Sequence, residues 1–220
     1  MLEAIQQSDL GSFQSINNLC PIFWGMLLED GRFGFLMGRC WGDLRKLIDE
    51  CMMRNGNKSA PFYKAKAVRF ICDITMGMWD LHRKGIVHRD LKASNVLMLA
   101  YDEKTSLYDP LHGMLENGIG VRVADFESST MTVGTTFWQA PEVLTAVKNC
   151  SFTPSVCTEK SDVYSFSMTC YEVLTGKVPF EGELSSDYNL VLGGNRPKLP
   201  SGTDSRIQSM LERCWQHEPS

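Results

Sequence analysis

The stretch GIVHRDLKASNVLML, Gly85 to Leu99, decides how this chain is read. Within eight positions it places His88, Arg89, Asp90, Lys92 and Asn95 directly ahead of the apolar run that ends at Leu99. A solvated loop has no need of a carboxylate, an amine and an amide at such spacing just before a strand-like segment. Taken singly, Asp90 reads equally well as a turn or capping residue, Lys92 as a surface charge and Asn95 as a turn former. Together they ask for a reaction.

Outward from the loop, upstream, Ala67, Phe70, Ile71, Ile74, Met78 and Leu81 recur at helical spacing. Pro61 suits the first turn of that helix and Gly85 its C′ position, so the helix ends where the loop begins. GDLRKLIDECMM (42–53) predicts a shorter helix with Asp43 at its N-terminus, where a carboxylate suits the dipole. FGFLM (33–37) reads as a short buried strand, and 19–28 holds a second one before the turn EDG. Downstream, NVLML (95–99) and VRVADF (121–126) are strand-like, with Val121 and Val123 on one face. The polar, turn-rich residues between them read as a lengthened hairpin loop. EKSDVYSFSMTCYEVLTG (159–176) predicts a buried helix stopped at Gly176, and DSRIQSMLERCWQH (204–217) an amphipathic one.

Composition narrows the function classes. A chain of 220 residues with 43% hydrophobic and 22% charged side chains is a soluble globular type, long enough for a substantial core. A formal charge of −4 argues against nucleic acid as the main partner, since phosphate backbones call for a basic surface. LCPIFWGMLL (19–28) is too short to span a bilayer and is interrupted by Pro21, and MLEAIQQSDL has no signal-peptide pattern. Eight cysteines without a Cys-x-x-Cys pair, mostly among apolar neighbours, read as reduced core residues of a cytoplasmic protein.

The motifs gain their weight from their order. HRDLKASN (88–95), ADFE (124–127), GTTFWQAPE (134–142), SDVYSF (161–166), LTGKVPF (174–180), RPKLP (196–200) and CWQHEPS (214–220) follow one another along the chain. This series closely resembles the C-terminal lobe of a eukaryotic protein kinase, of the tyrosine-kinase-like serine/threonine type abundant in plants. The resemblance runs from about residue 17 to the last residue. It implies an α+β protein-kinase-like fold, mainly the helical C-lobe with a few residual N-lobe strands: 1–38 as the N-lobe remnant, 39–220 as the C-lobe.

The same resemblance implies transfer of the ATP γ-phosphate to a serine or threonine hydroxyl of a protein substrate. Asp90 would orient the hydroxyl, and Lys92 would neutralise charge on the transferred group. Asn95 and Asp125 would hold Mg²⁺, and Thr135 would bond to the catalytic loop. Met37, as gatekeeper, with Gly38, Cys40 and Leu97 would enclose the adenine, and Asp43 would reach the ribose. His88 and Phe126 would join the apolar column between lobes, and Asp162 would bind the backbone of the catalytic loop. Ser128, Ser129, Thr130 and Thr132 lie where activation-loop phosphorylation occurs in such kinases. His82, His112 and His217 read as ordinary histidines.

Four departures from the family pattern stand beside these matches. No glycine-rich loop or Val-Ala-x-Lys strand precedes residue 17, so Glu3 has no lysine to pair with. Asp125-Phe126-Glu127 replaces Asp-Phe-Gly, and Gly38 replaces the usual hinge glutamate. The sequence stops before the arginine that pairs with the equivalent of Glu142. The expectation is a piece of a longer kinase. Glu127 favours the alternative, a pseudokinase serving as a binding scaffold.

Overall fold

The computed structural model describes residues 18–38, 40–99, 120–126, 135–184 and 187–218. Its strands are β1 (Ile22–Leu27), β2 (Phe33–Met37), β3 (Cys40–Asp43), β4 (Val96–Leu99) and β5 (Val121–Val123). Its helices are α1 (Leu44–Arg54), α2 (Lys64–His82), α3 (Pro141–Lys148), α4 (Glu159–Thr175), α5 (Tyr188–Leu192) and α6 (Ser205–Cys214).

The two strand-like pieces that follow the quoted loop do pair. β4 and β5 run antiparallel, Leu97 opposite Arg122, and β3 adds to the other edge of β4 with Asp43 opposite Leu97. Period-two alternation puts Val96 and Met98 into the core together with Val121 and Val123. β3 was not legible in the sequence, because CWGD has no alternating pattern. A second sheet joins β1 to β2 through a turn in which Gly31 adopts φ +82°. Phe23, Trp24, Met26, Leu27 and Leu36 of this ribbon face solvent. The segment before β1 is tied to the other sheet: Val123 donates to the Asn18 carbonyl (2.9 Å) and Cys20 to the Val123 carbonyl (2.8 Å).

Helix α2 buries the expected stripe, Ala67, Phe70, Ile71, Ile74, Met78 and Leu81. Its N-terminus differs from the expectation: Pro61 lies outside the helix, which begins at Lys64. Residues 61–63 stay out of the helix, and Phe62 sets its ring edge-on against Phe70 at 5.1 Å. Gly77 explains itself by space: a Cβ there would lie 2.7 Å from the Asn18 carbonyl oxygen and 2.8 Å from Val123 Cγ2. Only glycine lets α2 press this closely on β5.

Helix α4 is the centre of the molecule. It is buried from Ser161 to Val173 apart from Val163, consistent with an apolar helix packed on several sides. Its buried serine and threonine hydroxyls are satisfied within or next to the helix, as Thr169 donates to the Ser165 carbonyl (2.9 Å) and Ser165 to that of Trp138 (2.7 Å). A capping box of Thr158 and Ser161 starts it, and Gly176 at φ +79° ends it. α2 and α6 pack against it, the latter through the buried Leu211. The short helices α3 and α5 were not read from the sequence; α5 has only five residues.

Candidate active site

The loop Ile86–Leu91 leaves α2 through a reversal. Gly85 adopts φ +70°, and the Ile86 amide donates to the Leu81 carbonyl (3.1 Å). The chain is then gripped from α4. Asp162, buried at the helix start, accepts the amides of His88 (2.7 Å, Oδ2) and Arg89 (2.8 Å, Oδ1), and His82 Nε2 donates to Oδ2 at 2.9 Å. A carboxylate before such an apolar segment is thereby accounted for, and His82, read as ordinary, belongs to this set. Gln139 Nε2 donates to the Arg89 carbonyl (3.0 Å), and Arg89 itself sits at φ +70°.

His88 is fully buried. Nε2 donates to the Ala124 carbonyl (2.9 Å) and Nδ1 accepts the Asp90 amide at 3.4 Å, partners that assign the neutral tautomer. Burial pushes its imidazole below the ordinary value. Phe126 is also buried.

The polar residues of the loop converge. Asp90 Oδ1 accepts the Thr135 amide (2.9 Å) and the Thr135 hydroxyl (3.0 Å). Lys92 Nζ donates to that same hydroxyl oxygen (2.6 Å) and lies 2.9 Å from Asp90 Oδ2. Asn95 Nδ2 donates to the Asp90 carbonyl at 2.7 Å and to Oδ2 at 3.2 Å. Asp125 reaches the cluster through its neighbour: the Ala124 amide donates to the Asn95 carbonyl at 2.9 Å. Asp125 is exposed, at φ +62°. The side chains of Asp90 and Lys92 remain 27% and 24% exposed, so a solute can approach them.

The residues expected around adenine fall into two groups. Met37 ends β2 and is half-buried, and Gly38 donates to the Pro21 carbonyl (3.4 Å) while its own carbonyl accepts the Cys40 thiol (3.4 Å). Asp43 and Leu97 sit opposite each other across β3 and β4, Leu97 two residues beyond Asn95. Asp43 Oδ1 accepts the Lys46 amide (2.8 Å), which caps α1. Glu142 is half-buried, its carboxyl raised by burial, and lines a cavity of about 90 Å³ with Lys160, Tyr164 and Arg213. Glu3, His112, Glu127, Ser128, Ser129, Thr130 and Thr132 lie outside the described residues.

Sequence reasoning also missed Glu172 and the partners that hold it, Arg45 and Trp138. Glu172 is 1% exposed and accepts Arg45 Nη1 (3.1 Å), the Ala93 amide (3.0 Å) and Trp138 Nε1 (2.9 Å). The signal was present: a glutamate inside a buried helix needs partners. Its burial raises the carboxyl, against the lowering effect of those donors.

A carboxylate, an amine and an amide that converge and stay partly exposed, with Asp125 next to a residue whose amide bonds to Asn95, suit phosphoryl transfer. The family model for protein tyrosine and serine/threonine kinases matches residues 23–220, and the chain belongs to that family. It is 36% identical over 200 residues to a light-sensor protein kinase of Ceratodon purpureus, covering 81% of this chain and 15% of that protein. It is 33% identical to the serine/threonine-protein kinase STY17 of Arabidopsis thaliana, over 67% of this chain and 24% of the relative. For the Arabidopsis serine/threonine/tyrosine-protein kinase HT1 the figures are 30% identity, 74% and 39%. The chain thus spans less than half the length of each of these relatives. They agree with the tyrosine-kinase-like type, and the α+β architecture is that of a protein kinase domain. Among the described residues no helix is long and apolar enough to cross a membrane.

Proposed function

We propose that this chain carries the phosphate-transferring part of a serine/threonine protein kinase, acting on protein hydroxyls with ATP as donor. The observation that carries the reading is the Asp90–Lys92–Thr135–Asn95 cluster. Asp90 would take the hydrogen bond of the substrate hydroxyl and aim its oxygen at the γ-phosphate. Lys92 would offset negative charge on the transferred group, and Thr135 would hold Asp90 and Lys92 in register while bordering the residue after the target. These tasks are positioning and charge stabilisation, which phosphoryl transfer chiefly needs.

Protein kinases use ATP, typically with Mg²⁺, and the donor set here suits such an ion. With Nδ2 committed to Asp90, Asn95 has its amide oxygen to offer, and Asp125 adds an exposed carboxylate. Both are hard oxygen ligands. The ion would neutralise phosphate charge. Met37, Gly38, Cys40 and Leu97 would border the adenine, with the second oxygen of Asp43 turned to the ribose. In this reading residues 1–38 are the N-lobe remnant and 39–220 the C-lobe. Eight free cysteines suit a reducing, cytoplasmic setting. The scaffold reading finds no support in relatives that are named kinases.

The test is transfer of labelled γ-phosphate to a mixed serine/threonine peptide pool, with Asp90→Asn alongside. The variant should lose on the order of a hundredfold in rate. Equal incorporation by the two proteins would remove Asp90 from the role.

A further inference from the structure

The connection from β4 to β5 is longer than its geometry needs. Met98 pairs with Val121, so the two strands are direct neighbours, and antiparallel neighbours are commonly joined by about two to five residues. Here residues 100–119 intervene, outside the described part of the chain. Connections of that length are uncommon in a compact domain unless they have a task.

The returning chain meets the outer side of α2. The Val121 amide donates to Asp73 Oδ2 (3.2 Å), and a Cβ at Gly120 would lie 3.2 Å from the same oxygen. Beside Asp73 the helix carries Val68, Cys72, Met76 and Trp79, spaced three or four residues apart and therefore on one face. All four are exposed among the described residues, Met76 at 46% and Trp79 at 50%, on a face where a surface helix ordinarily presents polar side chains. Met76 lies about 4.5 Å along the axis from Asp73, and Trp79 about 9 Å. Two cations border the stripe: Arg69, and Arg83, whose guanidinium sits 4.4 Å from the centre of the Trp79 ring.

The composition of residues 100–119 matches this face. Leu107, Leu111, Met114 and Leu115 repeat at helical spacing, and Asp102, Glu103, Asp109 and Glu116 stand against the single Lys104. The two ends of the segment are about one strand spacing apart, so nearly all of its length is free to run out over α2 and return.

We propose that residues 100–119 dock on the outer face of α2, their apolar side chains covering Cys72, Met76 and Trp79 and their carboxylates facing Arg69 and Arg83. The chain's own segment is the occupant because its return is fixed beside the stripe, and such tethering gives an effective concentration on the order of millimolar. The inference stands apart from the phosphate-transfer reading, and its test needs no activity.

Cys72 lies within the stripe and reports the cover. In the full chain, maleimide labelling is followed by peptide mass spectrometry, with exposed Cys150 and buried Cys170 as references. Leu107→Asp combined with Leu111→Asp should speed labelling of Cys72 by about tenfold and leave both references unchanged. From the other side, Trp79→Glu, at an exposed position, should speed tryptic cleavage after Lys104 by about tenfold, with cleavage after exposed Lys177 unchanged. Equal Cys72 rates in parent and double variant, or unchanged cleavage after Lys104 in Trp79→Glu, would overturn the proposal. A rise that extends to Cys170 would do the same, since the segment would then be part of the core rather than docked upon it. So would protection of Cys72 that grows with protein concentration, which would place a second copy on the stripe.

Discussion

Replacing Asp162 by asparagine removes one acceptor from a site built for three donors. The carboxylate is buried and takes the His88 amide and His82 on one oxygen and the Arg89 amide on the other. An asparagine must turn its NH₂ toward one side. The less damaging orientation keeps His88 and His82 and sets the NH₂ against the Arg89 amide. That loses one hydrogen bond to a charged group and leaves a buried N–H without an acceptor, about 2–4 kcal/mol together. Total stability of a domain is on the order of 5–15 kcal/mol, so the variant should still fold. In a chain of this size the loss corresponds to a fall in Tm of roughly 5–15 °C. Urea unfolding followed by far-UV circular dichroism measures it directly. A change below about 1 kcal/mol would refute the view that these bonds hold the loop from α4.

Two further outcomes follow from buried groups. Gly77→Ala should gain about 1 kcal/mol of helix propensity yet destabilise overall, by about 1–3 kcal/mol, because a backbone oxygen and a strand side chain occupy the space; a stabilised variant in thermal unfolding would contradict the close approach of α2 to β5. Burial holds His88 below its ordinary value of 6.5, so as pH drops through that value the unfolded chain takes up a proton that the folded protein refuses. Stability should fall toward acid by up to about 1.4 kcal/mol per pH unit from this residue. Glu142 and Glu172, raised by burial, pull the other way, since the folded protein keeps protons that the unfolded chain releases. Comparing urea unfolding of the parent and His88→Phe between about pH 5 and 7 isolates the histidine; identical slopes would mean that His88 is not buried neutral.

Legibility in the sequence tracked local rules. The stripe on α2, the Gly176 stop and the valines of β5 were readable because periodicity and glycine conformation are written into neighbouring residues. The loop residues were readable because Asp90, Lys92 and Asn95 lie within six positions of one another. Arg45 and Glu172 are 127 positions apart, and nothing in a one-dimensional pattern joins them. The late start of α2 escaped for a related reason: Pro61 is a sound first-turn residue locally, but packing of Phe62 on Phe70 overrides it.

Arg89 and Asp125 both occupy a backbone region that L side chains seldom enter, one on either flank of the polar cluster. Glycine or asparagine at 125 would relax the backbone but discard the carboxylate that the proposed Mg²⁺ site uses. Backbone ease and chemical need thus pull in opposite directions at one residue. In the kinase reading proposed above, few side chains meet both demands at this position, and the strain is then a cost of the reaction rather than a flaw of the fold.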